Sequence, residues 1–160
     1  MTRTRSPSLL DKVLRAGLGA LHRLMKLGWF VRRPSTFGAH ALALTPERKI
    51  ILVKLRYAPG WRFPGGGRGE REDPRDAVLR ELREEIGMTG HGSVRLACEL
   101  QEAADFSRDL AALLIVEDVH YAPRKWSWEV ESIMEAAIDD LPEDLSQRAA
   151  VWLAALRPLV

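Results

Sequence analysis

The chain has 160 residues, enough for one domain with a real core. Its 46% hydrophobic and 29% charged content is that of an ordinary globular protein and excludes collagen-like, low-complexity and disorder-dominated chains. Cys98 is the single cysteine, so no internal disulfide forms, which fits a reducing, cytoplasmic compartment.

The net charge of +2 is unevenly spread. Residues 1–33 hold eight basic residues (Arg3, Arg5, Lys12, Arg15, Arg23, Lys26, Arg32, Arg33) against Asp11, a net of +7. The remainder holds 16 basic and 21 acidic residues, a net of −5. Residues 1–7 are polar, and Ser8 to Phe30 reads as an amphipathic helix. Leu10, Leu14, Leu18, Leu21 and Met25 recur at helical spacing, with Lys12, Arg15, Arg23 and Lys26 off that line. Gly17 and Gly19 weaken it. The preferred partner of this line is protein, either the chain's own domain or a second copy in a homodimer. A membrane surface is the alternative. No stretch is apolar and long enough to span a bilayer, and the basic residues interrupt any secretory signal pattern. The division expected is a basic arm over residues 1–33 and a domain over 34–160.

Pro34 marks the boundary. Phe37 to Leu44 alternates as a strand does, and Thr45-Pro46-Glu47-Arg48 is a turn. Ile50 to Tyr57 is a second strand, with Ile51, Val53 and Leu55 on one face and Leu52, Lys54 and Arg56 on the other. Ala58-Pro59-Gly60 is a loop, and Trp61 to Phe63 leads into a glycine loop, Gly65-Gly66-Gly67. A helix follows, with Asp73 as N-cap, Pro74 at its first position and Gly87 as left-handed C-terminal cap. Val78, Leu79, Leu82 and Ile86 share one face. Glu81, Glu84 and Glu85 cluster on the other at i, i+3 and i+4. Ser93 to Glu102 is strand-like, Ala103 to Asp109 a connection, and Leu110 to Val119 a strongly apolar strand. Tyr121 to Lys125 is a loop, Trp126 to Ile138 is extended, and Leu141 to Leu156 is a C-terminal helix with Leu145, Ala149, Trp152 and Leu156 inward. Strands before, between and after two internal helices imply an α+β fold or a mixed α/β sandwich.

Three glutamates so close repel one another, and Arg80 and Arg83 offset part of that repulsion. Two readings of the cluster follow: a solvated acidic face, or a site for a hard divalent cation that takes oxygen ligands and bridges them to phosphates. Spacing favours the second. Gly66, Glu72, Arg80, Glu81, Leu82, Glu84, Glu85, Gly87 and Met88 fit G-x5-E-x7-R-E-U-x-E-E-x-G-U at every fixed position, U being bulky and apolar. This 23-residue stretch resembles the Nudix hydrolase family. Arg71 stands where the family usually has a glycine.

The resemblance implies a Nudix α/β/α sandwich with a mixed central sheet. It implies hydrolysis of a pyrophosphate bond in a nucleoside diphosphate linked to another group, with Mg²⁺, or Mn²⁺, as cofactor. Glu84 and Glu85 would ligate the metal, Glu81 would ligate it or act as base, and the Gly65 carbonyl would complete the shell. Arg80 would orient the glutamates, most plausibly through Glu72 or a carboxylate one turn away. A further carboxylate often serves as base or ligand; Glu129 is the candidate, with Glu131 and Glu102 as alternatives. Arg56, Arg62, Gly66 and Gly67 would contact substrate. Trp126 and Trp128 could stack on a base, though core packing is the commoner role. His22, His40, His91 and His120 show no metal spacing and are read as structural, and Asp105 and Asp109 as loop and cap residues. The family's substrate-sorting motifs are missing: Ala103-Ala104-Asp105 replaces the proline of ADP-ribose hydrolases, Phe106 is the only aromatic where dinucleoside polyphosphate hydrolases have tyrosine, and the S-Q-P-W-P-F-P-x-S run is absent. Substrate identity stays open, and no nucleic-acid partner is expected. The competing reading is a non-catalytic Nudix-fold module binding a nucleotide or partner, recruited to membranes by the arm.

Overall fold

A computed structural model describes residues 35–104, 107–123 and 127–160. The expected N-terminal helix, Asp105, Phe106 and Trp126 lie outside the described residues, as do the side chains of Glu102 and Asp109.

The strands are β1 (Ser35–Ala43), β2 (Ile50–Leu55), β3 (Trp61–Arg62), β4 (Gly65–Gly67), β5 (Met88–Gly90), β6 (Val94–Ala104), β7 (Ser107–Val116), β8 (His120–Tyr121) and β9 (Val130–Ala136). The helices are α1 (Pro74–Glu85) and α2 (Gln147–Leu156), the latter followed by a 3₁₀ turn, Arg157–Leu159. A four-stranded sheet in the order β4-β1-β7-β6 is mixed, because β1 and β7 run parallel while its other pairs are antiparallel. A three-stranded antiparallel sheet runs β3-β2-β9, and β5 pairs with β8.

Strand alternation places a helix on each face. Ala39, Ala41 and Ala43 of β1, with Ile51, Val53 and Leu55 of β2, pack against Ala77, Val78, Leu82 and Ile86. The intervening residues Leu42, Leu44, Ile50 and Leu52 pack with Trp152 and Leu156 of α2. The result is the expected α/β/α layering, and both alternation patterns of β2 hold.

Four segments differ from the sequence reading. The glycine triplet is a strand: Gly38, Ala39 and His40 of β1 pair with Gly67, Gly66 and Gly65. Gly65 has φ +139°, and a Cβ there would lie 2.3 Å from the Ala39 carbonyl oxygen, so only glycine permits this pairing. Residues 103–109 are mostly hairpin rather than connection, since β6 and β7 pair through Ala104↔Ser107. Backbone pairing carries these strands past the end of their apolar pattern. The last helix begins at Gln147, not Leu141. Ser146 caps it, and the preceding backbone instead serves β3: Trp61 N–H donates to the Asp144 carbonyl and Ser146 N–H to the Trp61 carbonyl, each at 2.8 Å. Finally, the loop expected over Tyr121 to Lys125 starts with a residue of β8, whose two-residue length gives no periodicity to read.

Candidate active site

Helix α1 is placed as its ends predict. Asp73 accepts from the Arg75 amide at 2.8 Å, Pro74 opens the helix, and Gly87 takes φ +71°. Val78, Leu82 and Ile86 are fully buried, which fixes the rotation of the helix and turns its glutamates toward β4.

The glutamate face is not uniformly solvated. Glu84 is 59% exposed, but the Glu81 side chain is only 14% exposed and Glu85 is buried. The three diverge because β4 lies against the helix. Gly65 N–H donates to Glu85 Oε2 at 2.8 Å, and a Cβ on Gly66 would come within 2.9 Å of the Glu81 carboxylate. Close approach of the glycine strand is what desolvates these two acids. Burial pushes Glu85 up to about 8; the Gly65 amide and Arg62 oppose this, and the Glu129 and Glu81 charges add to it. Glu81 is raised by burial too, against the pull of Arg80.

Arg80 binds three groups at once. Its Nη1 donates to Glu81 Oε1 at 2.6 Å, its Nη2 to the Gly67 carbonyl at 3.1 Å, and Nη2 and Nε reach Glu72 Oε1 at 3.3 and 3.4 Å. Glu84 stands 4.0 Å from Nη1. Both partners expected for Arg80 are therefore found. The Gly69 amide, at 2.8 Å, holds the Glu72 carboxyl below its ordinary range, with Arg80 adding to the effect. Gly67 itself is exposed, and a Cβ there would meet no described residue within 4 Å, so its backbone carbonyl is its contribution.

Glu129 joins this cluster from the loop before β9, and its charge is felt at both Glu81 and Glu85. Tyr57 Oη donates to Glu129 Oε1, and the Arg56 amide donates to the Glu129 carbonyl at 2.9 Å. Arg56 Nε donates to the Ser127 carbonyl at 3.1 Å, which ties this guanidinium to the loop. Arg62 lies beside Glu85, Glu129 and Tyr57; its Nη2 donates to the Pro59 carbonyl at 3.0 Å, while its Nε is buried with no hydrogen-bond partner among the described residues. Glu131 sits on β9, half-buried. Trp128 is 65% exposed beside Glu129.

The histidines divide. His91 and His120 are exposed, whereas the His40 ring packs against Trp152 at a 42° tilt with ring centroids 4.5 Å apart, its Nδ1 buried. Sequence reasoning missed Tyr57 and Ser127. The Tyr57 contact crosses 72 residues, so no local pattern signals it, whereas Ser127 bonds the amides two and three residues on, a local turn pattern that could have found it.

As placed, no three His, Cys, Asp or Glu side chains among the described residues form a group that holds a metal ion. Arg80 occupies Glu81, and the Gly65 amide occupies Glu85. The donor chemistry nevertheless fits a hard cation. All the acids offer oxygen, two are desolvated, and their mutual repulsion is relieved by positive charge.

A layered α/β/α fold that aims a glutamate-bearing helix at a glycine strand defines a class shared by many known chains. The NUDIX domain model matches residues 34–156, and the chain belongs to that family. An RNA pyrophosphohydrolase of Bartonella bacilliformis is 40% identical over 84 residues, 49% of this chain and 48% of that protein. One from Pseudomonas savastanoi is 50% identical over 50 residues, 31% of each chain. The chain thus spans half or less of the length of these relatives. The MutT NUDIX hydrolase of Burkholderia pseudomallei superposes with a TM-score of 0.65 at 27% identity, over 76% of this chain and 98% of that one.

Proposed function

We propose that this protein is a divalent-metal-dependent pyrophosphohydrolase acting on a nucleoside diphosphate linked to another group. The observation that carries the reading is the convergence of three carboxylates: Glu81 and Glu85 are desolvated against the glycine strand, and the exposed Glu129, 44 or more residues further along the chain, stands close enough for its charge to raise both. Isolated surface glutamates have no reason to be drawn together and buried, because each pays for lost hydration.

In this reading Glu81, Glu84, Glu85 and the Gly65 carbonyl would hold Mg²⁺ or Mn²⁺, which when bound would supply charge neutralisation for the phosphates and lower the pKa of water. Glu129 takes the proton from the attacking water as its oxygen bonds to phosphorus, and the anhydride P–O bond breaks with the leaving phosphate carrying the electron pair. Arg62 lies beside Glu85 and Glu129 and meets the anionic phosphates with a fixed positive charge. Arg56 contributes through the loop it holds. The Gly66 and Gly67 backbone lets substrate approach closely. Arg80 keeps Glu72 and Glu81 oriented, and holding the ion asks Glu81 to exchange that partner. Glu129 is preferred as base because its charge reaches Glu81 and Glu85 and its carboxylate is held by the Tyr57 hydroxyl.

The test is a turnover screen with Mg²⁺ and Mn²⁺ over ADP-ribose, UDP-glucose, GTP, a dinucleoside polyphosphate and an RNA bearing a 5′ polyphosphate. The reading expects metal-dependent cleavage of an anhydride in at least one of them, with the products identified by mass. No turnover with any of them, alongside tight binding of one, would favour a module that binds without catalysing.

A further inference from the structure

Tyr57 stands just past the end of β2, outside the Nudix box. Its hydroxyl donates to Glu129 Oε1 across 72 residues of sequence. The loop carrying Glu129 is secured at other points. The Arg56 amide donates to the Glu129 carbonyl at 2.9 Å, and Arg56 Nε to the Ser127 carbonyl at 3.1 Å. Ser127 Oγ accepts from the amides of Glu129 and Val130 at 3.2 and 3.0 Å. Those bonds fix the backbone at Glu129. Of these contacts, that of Tyr57 alone reaches the carboxylate, which sits on an exposed side chain with rotamer freedom to lose.

The tyrosine is suited to hold it. Its ring packs against the core shared with α1, so the hydroxyl has a fixed origin. Burial and the Glu129 carboxylate both push the phenol above its ordinary value, so it remains a donor at neutral pH.

We propose that Tyr57 is a positioning residue for hydrolysis: by occupying one oxygen of Glu129 it turns the other toward Glu81 and Glu85, where the attacking water loses its proton. This rests on the reading of Glu129 as base. A general base works only within hydrogen-bond reach of its proton, so a carboxylate that swings away spends time unproductive. If aim does not limit the reaction, removing the hydroxyl leaves kcat unchanged or raises it by freeing the second oxygen of Glu129, so the sign of the effect decides.

The test is a double-mutant cycle of Tyr57→Phe and Glu129→Gln in the full chain, with steady-state kinetics on the best substrate of the panel above. Tyr57→Phe is expected to lower kcat about tenfold with KM changed less than about twofold, the signature of an interaction that matters in the transition state. In the Glu129→Gln background it should cost less than about twofold more, since there is no base left to aim. Amide exchange over residues 127–130 should be unchanged in Tyr57→Phe, because the backbone bonds hold the loop. A slow Glu129→Gln with a Tyr57→Phe at or above wild-type kcat overturns this inference and leaves the base assignment standing. Equal losses from Tyr57→Phe in both backgrounds, or a general loss of exchange protection, also overturn it. Glu129→Gln at wild-type kcat overturns the base assignment and the inference together.

Discussion

Gly65 donates its amide proton to Glu85 Oε2 at 2.8 Å, which fastens the glycine strand to the last turn of α1. The bond explains how a carboxylate stays buried in this site: it supplies one partner and leaves the other oxygen for a ligand. It also alters what a glutamine there should do. Glu85→Gln keeps an acceptor for Gly65 and removes a desolvated charge, so the metal-free variant should melt within a few degrees of the wild type. A large loss of thermal stability would mean that the carboxylate charge itself holds the two elements together.

Leu82 tests the rotation of the helix. It is fully buried against both sheets, and Leu82→Ala should cost about 2–5 kcal/mol by leaving a cavity. Chemical denaturation measures this, and a cost below about 1 kcal/mol would contradict the packing described.

Arg80 bridges Glu72, Glu81 and the Gly67 carbonyl with a planar fork that lysine lacks. Arg80→Lys should lower turnover about tenfold or more, while stability changes by less than about 1 kcal/mol because the pairs are partly exposed. Unchanged turnover would reduce Arg80 to an ordinary surface cation.

His40 carries a pH dependence. Burial, with Arg148 and Arg62 nearby, lowers it to about 3 from an ordinary 6.5, so it is neutral in the fold and charged in the unfolded chain below pH 6.5. A folded pKa below the unfolded one gives stability that is full above pH 6.5 and lost as pH falls toward 3. At pH 4 the loss relative to pH 7 should be about 3 kcal/mol from this residue. His40→Gln removes the titration, so the gap between wild-type and variant melting temperatures should shift in the variant's favour on acidification. A gap that does not change with pH would contradict a buried neutral His40.

The basic arm is tested by a chain starting at Ser35. If the apolar line of Ser8 to Phe30 packs on protein, the shortened chain should melt lower or aggregate, since an isolated helix of that length is marginal in water. Equal stability, together with loss of sedimentation on anionic liposomes at low salt, would assign the arm to a membrane instead.

Much of the fold was legible because it rests on local rules. Asp73, Pro74 and Gly87 mark both ends of α1, and the alternation in Ile50 to Leu55 gives the two faces of β2 that the helices cover. What was illegible depends on distance. The glycine triplet reads as a loop until β1 lies beside it, and residues 141–145 read as helix until β3 claims their backbone. The glutamates read as a single exposed face because burial of Glu85 is set by Gly65 and β4, not by the helix that bears it. Tyr57 and Glu129 are likewise joined only by the pairing of β2 with β9.

The most direct measurement is turnover of the best substrate at saturating Mg²⁺ by the wild type, Glu84→Gln and Glu85→Gln. If the box glutamates hold the catalytic metal, each variant should lose at least about two orders of magnitude in kcat while remaining folded, and chelation should silence the wild type. Near wild-type turnover by either folded variant would contradict the assignment of the site.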